Sequence, residues 1–170
     1  MPSPGDNIAP GAERQHYGIT FAVLALAGAS YAVLQSAVAP ALPDIQRELH
    51  ASATATAWLF TGYLLSASVL TPIVGRLGDM FGKEHTLVAT LVGLSAGTLL
   101  AALANSIGVL ILARVIQGAG GAIFPLAFGI IRDEFPRERV ATGIGLISAT
   151  FGIGGGAGLV LSGLIVDHLS

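Results

Sequence analysis

Residues 86–131 read TLVATLVGLSAGTLLAALANSIGVLILARVIQGAGGAIFPLAFGII, from Thr86 to Ile131, and this run decides the fold. Its 46 residues carry one formal charge, Arg114. As a single helix it would be about 69 Å long at the usual rise per residue, over twice the hydrocarbon thickness of a bilayer. The run must therefore turn once, and Asn105-Ser106-Ile107-Gly108 holds the turn-forming residues. Two spans follow, 85–104 and 107–131.

The same reading extends outward. Gly18–Pro43 is 26 residues without a charge, Ala51–Gly75 is 25, and Val140–Val166 is 27. A spanning helix needs about 20 apolar residues. The expectation is an all-α membrane protein with five spans, at 17–43, 55–75, 85–104, 107–131 and 140–166. A closed barrel would instead show alternating segments of about ten residues. Residues 1–16 are polar and rich in Pro and Gly, which predicts a short disordered tail. They lack the basic start of a secretory signal, and the first apolar run is too long for a signal's core.

Composition agrees. The 170 residues are 53% apolar and only 11% charged, with mean hydropathy +0.76. Soluble domains carry about a quarter charged residues. Net charge is −2, with no basic excess to attract nucleic acid. There are no cysteines, and His16, His50, His85 and His168 lack metal-ligand spacing. A metalloenzyme, a cofactor-dependent enzyme and a nucleic-acid binder are all disfavoured. The loops between spans are too short for a catalytic ectodomain, and no Ser/His or Asp/Asp pair lies within a span.

Basic residues set the expected orientation. Arg14, Arg76, Lys83, Arg132, Arg137 and Arg139 fall on one side, and Arg47 alone on the other. The N terminus is expected to be cytoplasmic, with Ser170 outside. Residues 44–50 are expected to prolong the first helix past the membrane, because Ile45 and Leu49 share a face. Pro40 and Pro43 are expected to end that helix, and Pro72 and Pro125 to kink theirs. Trp58 sits at an aromatic-belt depth.

Arg114 lies about 10 Å below the outer surface by helix rise. A charge there costs several kcal/mol unless it faces a polar interior or a partner. Gln117, one turn on, shares its face, and Gln35 and helix-end carbonyls are the candidate partners. Snorkelling outward along its own helix is the alternative. No Asp or Glu lies within a span, so no complete proton path is visible. The 2–3 loop, Gly75-Arg76-Leu77-Gly78-Asp79-Met80-Phe81-Gly82-Lys83-Glu84, carries three glycines suited to a sharp turn. Asp79 is placed to cap the following helix, unless this is an ordinary charged turn. Gly118, Gly120 and Gly121 let another backbone approach. In the fifth span Gly152/Gly156 and Gly154/Gly158, with Gly155 between, predict a packing face. Gly93 and Gly97 mark a smaller one.

These residues resemble the major facilitator superfamily, especially its drug-efflux branch, over about 150 residues. The family's 2–3 loop pattern, Gly-x-Leu-(Ala/Gly)-Asp-x-x-Gly-(Arg/Lys), is filled by Gly75, Leu77, Gly78, Asp79, Gly82 and Lys83. Met80 and Glu84 stand where basic residues are common. The family's Arg-x-x-Gln-Gly-x-Gly is matched by Arg114, Gln117, Gly118 and Gly120. Leu42-Pro43-Asp44-Ile45 resembles a third motif, with Leu34 where an acid is usual. The fifth span resembles the antiporter motif, with Gly155-Gly156 in place of Gly-Pro.

The resemblance implies an inner-membrane, multi-pass secondary transporter working by alternating access. Asp79 and Lys83 would belong to a cytoplasmic latch with Gly75, Arg76, Gly78 and Gly82. Arg114 and Gln117 would serve proton coupling, and Gln35 would line the cavity. Five spans correspond to most of the family's N-terminal six-helix half. The chain reads as the N-terminal portion of such a transporter, expected to be inactive alone. Completed by a second half, it would export small amphipathic compounds in exchange for protons. Uptake of a nutrient, or a non-transporting scaffold that assembles with itself or a partner chain, are the alternatives.

Overall fold

The computed structural model describes the backbone of residues 10–169 and the side chains of residues 17–165. It is a bundle of helices, with no strand among the described residues. In chain order they are α1 (Pro10–Ser36), α2 (Val38–Glu48), α3 (Ala53–Phe81), α4 (Lys83–Ala102), α5 (Ile107–Gln117), a 3-10 segment (Gly118–Ala122), α6 (Ile123–Glu134) and α7 (Arg137–Leu169). Among the described residues, five stretches are long and apolar enough to cross a membrane: Tyr17–Ser36, Ala53–Phe81, Lys83–Ala102, Ile107–Glu134 and Arg137–Ile165. Helix α1 begins at Pro10, within the stretch expected as a tail. Residues 1–9 of that stretch lie outside the described residues.

The helix ends follow local chemistry. Ser52 Oγ accepts from Ala55 N at 3.2 Å to cap α3, and Ser106 Oγ accepts from Val109 N at 3.4 Å to start α5. The prolines act differently from expectation. The first helix breaks at Ala37 and resumes as α2 through Pro40 and Pro43 to Glu48. A proline ring clashes with the carbonyl four residues back, so Pro40 disturbs Ser36 rather than its own neighbours. Once past that point, Pro40 occupies the first turn of α2, where a missing N–H is harmless. In the fourth span the irregularity precedes Pro125. The glycine run Gly118–Ala122 winds as a 3-10 helix, which adjusts the turn that Pro125 would otherwise clash with.

Helix α6 is the hub. Its Ile123, Leu126, Ala127, Ile130 and Ile131 are buried against Leu24 and Tyr31 of α1, Leu87 and Leu94 of α4, and Ile147 of α7. The outside is apolar too, with Ile19, Val23, Leu26, Leu64, Leu65, Val88, Val92, Ile153 and Val160 exposed. An apolar coat of this extent suits lipid rather than water.

Helix α7 runs unbroken through eight glycines between Gly143 and Gly163. Only some of them are contact points. A Cβ at Gly154 would lie 3.0 Å from the Ala29 carbonyl, and one at Gly158 would lie 2.6 Å from the Val33 carbonyl. Gly152, Gly155 and Gly156 face open space, with no other helix against them among the described residues. Ser162 Oγ adds a bond of 2.7 Å to the Ala37 carbonyl, freed where α1 breaks. Gly158→Ala is therefore expected to destabilise the purified protein in detergent by about 1–3 kcal/mol through overpacking. Gly155→Ala should be neutral or stabilising, because only helix propensity changes. Thermal unfolding of the two variants checks this, and equal losses would contradict the packing.

Candidate functional site: a buried arginine cluster and a lysine tether

Arg114 is 3% exposed and does not snorkel. Its Nη1 donates to Gln35 Oε1 at 2.9 Å and to Gln117 Oε1 at 2.7 Å. Its Nε reaches the Leu59 carbonyl at 3.4 Å. The guanidinium carbon lies 4.5 Å from the centroid of the Tyr63 ring, a cation–π distance. Both glutamine partners are those that the sequence offers. The carbonyl is not at a helix end, however: Leu59 sits in the second turn of α3. Gln117 Nε2 donates to Thr98 Oγ1 at 3.2 Å, and the Thr98 hydroxyl donates to the Leu94 carbonyl at 2.8 Å. The hydroxyls of Tyr31 and Tyr63 bond to each other.

The cluster thus joins α1, α3, α4 and α5. Every acceptor named is neutral. No acid faces Arg114 among the described residues that it touches, so the charge is stabilised by amide, carbonyl and ring dipoles alone.

Glycines make room for it. A Cβ at Gly97 would lie 2.9 Å from Gln117 Cγ, and one at Gly120 would lie 2.7 Å from the Tyr31 ring. Gly118 meets α3 in the same way, 2.9 Å from Ala67 N, whereas Gly93 faces open space. Nothing in the motif spacing singles out Tyr31, Tyr63 or Thr98. A weak signal exists for Tyr31, which is four residues before Gln35 and so on its face.

At the other end of α3 the helix does not stop at Gly75 but continues to Phe81. The turn is one residue, Gly82, whose φ of 96° favours glycine. Asp79 therefore lies within α3 and does not cap α4, which has no side-chain cap. Lys83 Nζ donates to Asp133 Oδ2 at 2.6 Å and lies 3.6 Å from Asp79 Oδ1. Its stem crosses Gly129, where a Cβ would come within 2.6 Å of the Lys83 Cδ and Cε. Gly78 abuts Leu126. Gly75 has open space around it, and Arg76 has no ion pair among the described residues. Of the residues expected to form the latch, Gly78, Asp79, Gly82 and Lys83 therefore come together with Asp133 and Gly129 of α6, while Gly75 and Arg76 stand apart. Asp133 and Gly129 carry no signal in the motif itself.

The two clusters differ in energetic weight. Gln117→Leu should destabilise the protein by about 1.5–3 kcal/mol, the usual loss for a hydrogen bond to a buried charge. The Lys83–Asp133 pair is partly exposed, with Asp133 at 60%, so its coupling should be only ~0.2–1 kcal/mol. A double-mutant cycle on unfolding in detergent measures both, and a strong Lys83–Asp133 coupling with a silent Gln117→Leu would reverse the ranking.

A family model described as Major Facilitator Superfamily matches residues 24–170. The chain is 36% identical over 133 residues to the tetracenomycin C resistance and export protein of Streptomyces glaucescens, covering 78% of this chain and 25% of that protein. It is 35% identical over 134 residues to multidrug resistance protein 3 of Bacillus subtilis, covering 78% and 26%. It is 34% identical over 148 residues to the lincomycin resistance protein LmrB of Bacillus subtilis, covering 86% and 31%. The chain thus spans about a quarter of the length of the curated relatives it matches. With the motif residues folded around a buried arginine in a bundle of five apolar helices, and a family model covering most of its length, the chain belongs to the major facilitator superfamily of membrane transporters.

Proposed function

We propose that this chain is the N-terminal portion of a secondary active efflux transporter of the plasma membrane. It exports small amphipathic compounds in exchange for protons, with its N terminus in the cytoplasm. The carrying observation is the state of Arg114: a guanidinium, charged at any physiological pH, held by neutral acceptors alone. Such a cation is lowered in energy by a nearby carboxylate but not by the protonated acid. A proton bound elsewhere in the complete protein therefore has something to work against. The export and resistance named for three relatives support the direction of transport. The Lys83–Asp133 contact, which ties the α3–α4 turn to the end of α6, supports a latch on the cytoplasmic side. A quarter-length segment offers one wall of a substrate path, so transport needs the remaining helices.

Dye uptake into everted vesicles carrying the full-length protein, where export runs from the medium to the lumen, tests this. Arg114→Gln should cut ΔpH-driven transport by more than about tenfold, the effect of ~1.4 kcal/mol at the coupling step. Undiminished pH-driven efflux by Arg114→Gln would sink the reading. The absence of native cysteine in the segment allows a clean orientation test. Arg137→Cys should react with an impermeant maleimide only in permeabilised cells, and Ser106→Cys in intact ones.

A further inference from the structure

Gln117 has two ends that differ chemically, and only one can serve Arg114. Its carbonyl oxygen accepts from the guanidinium, whereas its NH2 group would repel it. What decides which end points inward is the group on its other side, the Thr98 hydroxyl of α4. That hydroxyl has one proton, and it is spent on the Leu94 carbonyl at 2.8 Å. Toward Gln117 the oxygen can then only accept, and it does so from Nε2 at 3.2 Å. Turning the amide over would cost the Leu94 bond and place two donor groups face to face at Arg114. The chain of bonds therefore has a single polarity, from Gln117 Nε2 to Thr98 and from Thr98 to the α4 backbone, with Oε1 fixed on Arg114 at 2.7 Å.

We propose that Thr98 is a positioning residue for Arg114. It sets the orientation of the Gln117 amide, and through it the direction in which the guanidinium is held. The inference rests on the reading of Arg114 as the coupling cation and adds to it a residue on a different helix. Packing does not explain the choice of threonine. The side chain borders an open groove of about 490 Å³ between α1 and α4, lined by Ser30, Leu34, Leu94, Ser95 and Leu99. Valine has the same shape and would fit equally well there, but it would leave the amide free to turn.

The test is a substitution series in the full-length protein, read as ΔpH-driven dye efflux and its pH profile at matched membrane levels. Thr98→Val keeps the shape and removes the hydroxyl, whereas Thr98→Ser keeps the hydroxyl and removes the methyl. If Thr98 positions the amide, Thr98→Val slows transport about tenfold, the weight of one oriented hydrogen bond to a charge, and displaces the pH profile. Thr98→Ser then recovers most of the loss. In a Gln117→Leu background, Thr98→Val has no further effect, because there is no amide left to orient. A packing role gives the opposite order, with serine worse than valine, and overturns the proposal. An impaired Arg114→Gln protein beside an unimpaired Thr98→Val overturns the proposal alone. An Arg114→Gln protein that still couples to protons overturns the reading of Arg114 and this proposal together.

Discussion

One positive charge held almost wholly out of solvent constrains the rest of the molecule. Arg114 cannot be left unsatisfied in an apolar bundle, because the penalty would rival the stability of the whole domain. Its acceptors come from three directions: the Gln35 side chain of α1, the Leu59 carbonyl and Tyr63 ring of α3, and Gln117 on its own helix. Each contact is short enough that a shift of one helix by a single residue would break it. The cation therefore sets the register of α1 and α3 against α5 in a bundle whose apolar faces alone would tolerate sliding. In a membrane, lipid tails are as apolar as leucine, so such polar contacts carry more of the specification than they do in water.

Glycine supplies the space that this arrangement needs. Gly97 admits the stem of Gln117, Gly120 admits the ring of Tyr31, and Gly118 brings the fourth span against the backbone of α3. The same device recurs at the far end, where Gly129 forms a channel for the Lys83 stem on its way to Asp133. It recurs again along α7, where Gly154 and Gly158 accept the backbone of α1. In each case the missing Cβ matters for who approaches, and among the described residues only Gly82 is needed for its backbone angle. The two clusters also complement each other mechanically. The Arg114 contacts are buried, whereas the Lys83–Asp133 contact is partly exposed.

Much of this is legible in the amino-acid sequence. Long uncharged runs report spanning helices because an unpaired charge in hydrocarbon is so costly, and this made the five spans readable. The same cost made Arg114 conspicuous and limited its side-chain partners to the few polar groups within spans, Gln35 and Gln117 among them. The glycine-rich loop with Asp79 and Lys83 was readable as a motif. Its shape was not: three glycines suggested a loop of several residues, but a helix tolerates Gly75 and Gly78, and the chain turns at Gly82 alone.

The sequence by itself determined the class of molecule, the number of spans and the one charge that had to be satisfied inside, because these depend on transfer free energies summed along a continuous segment. Tertiary structure alone decided which glycines face a partner, that Asp133 answers Lys83, and that Tyr31, Tyr63 and Thr98 complete the arginine cluster. Those outcomes depend on helix register and rotation. Register and rotation are set by distances between residues far apart in sequence, and no local pattern encodes them.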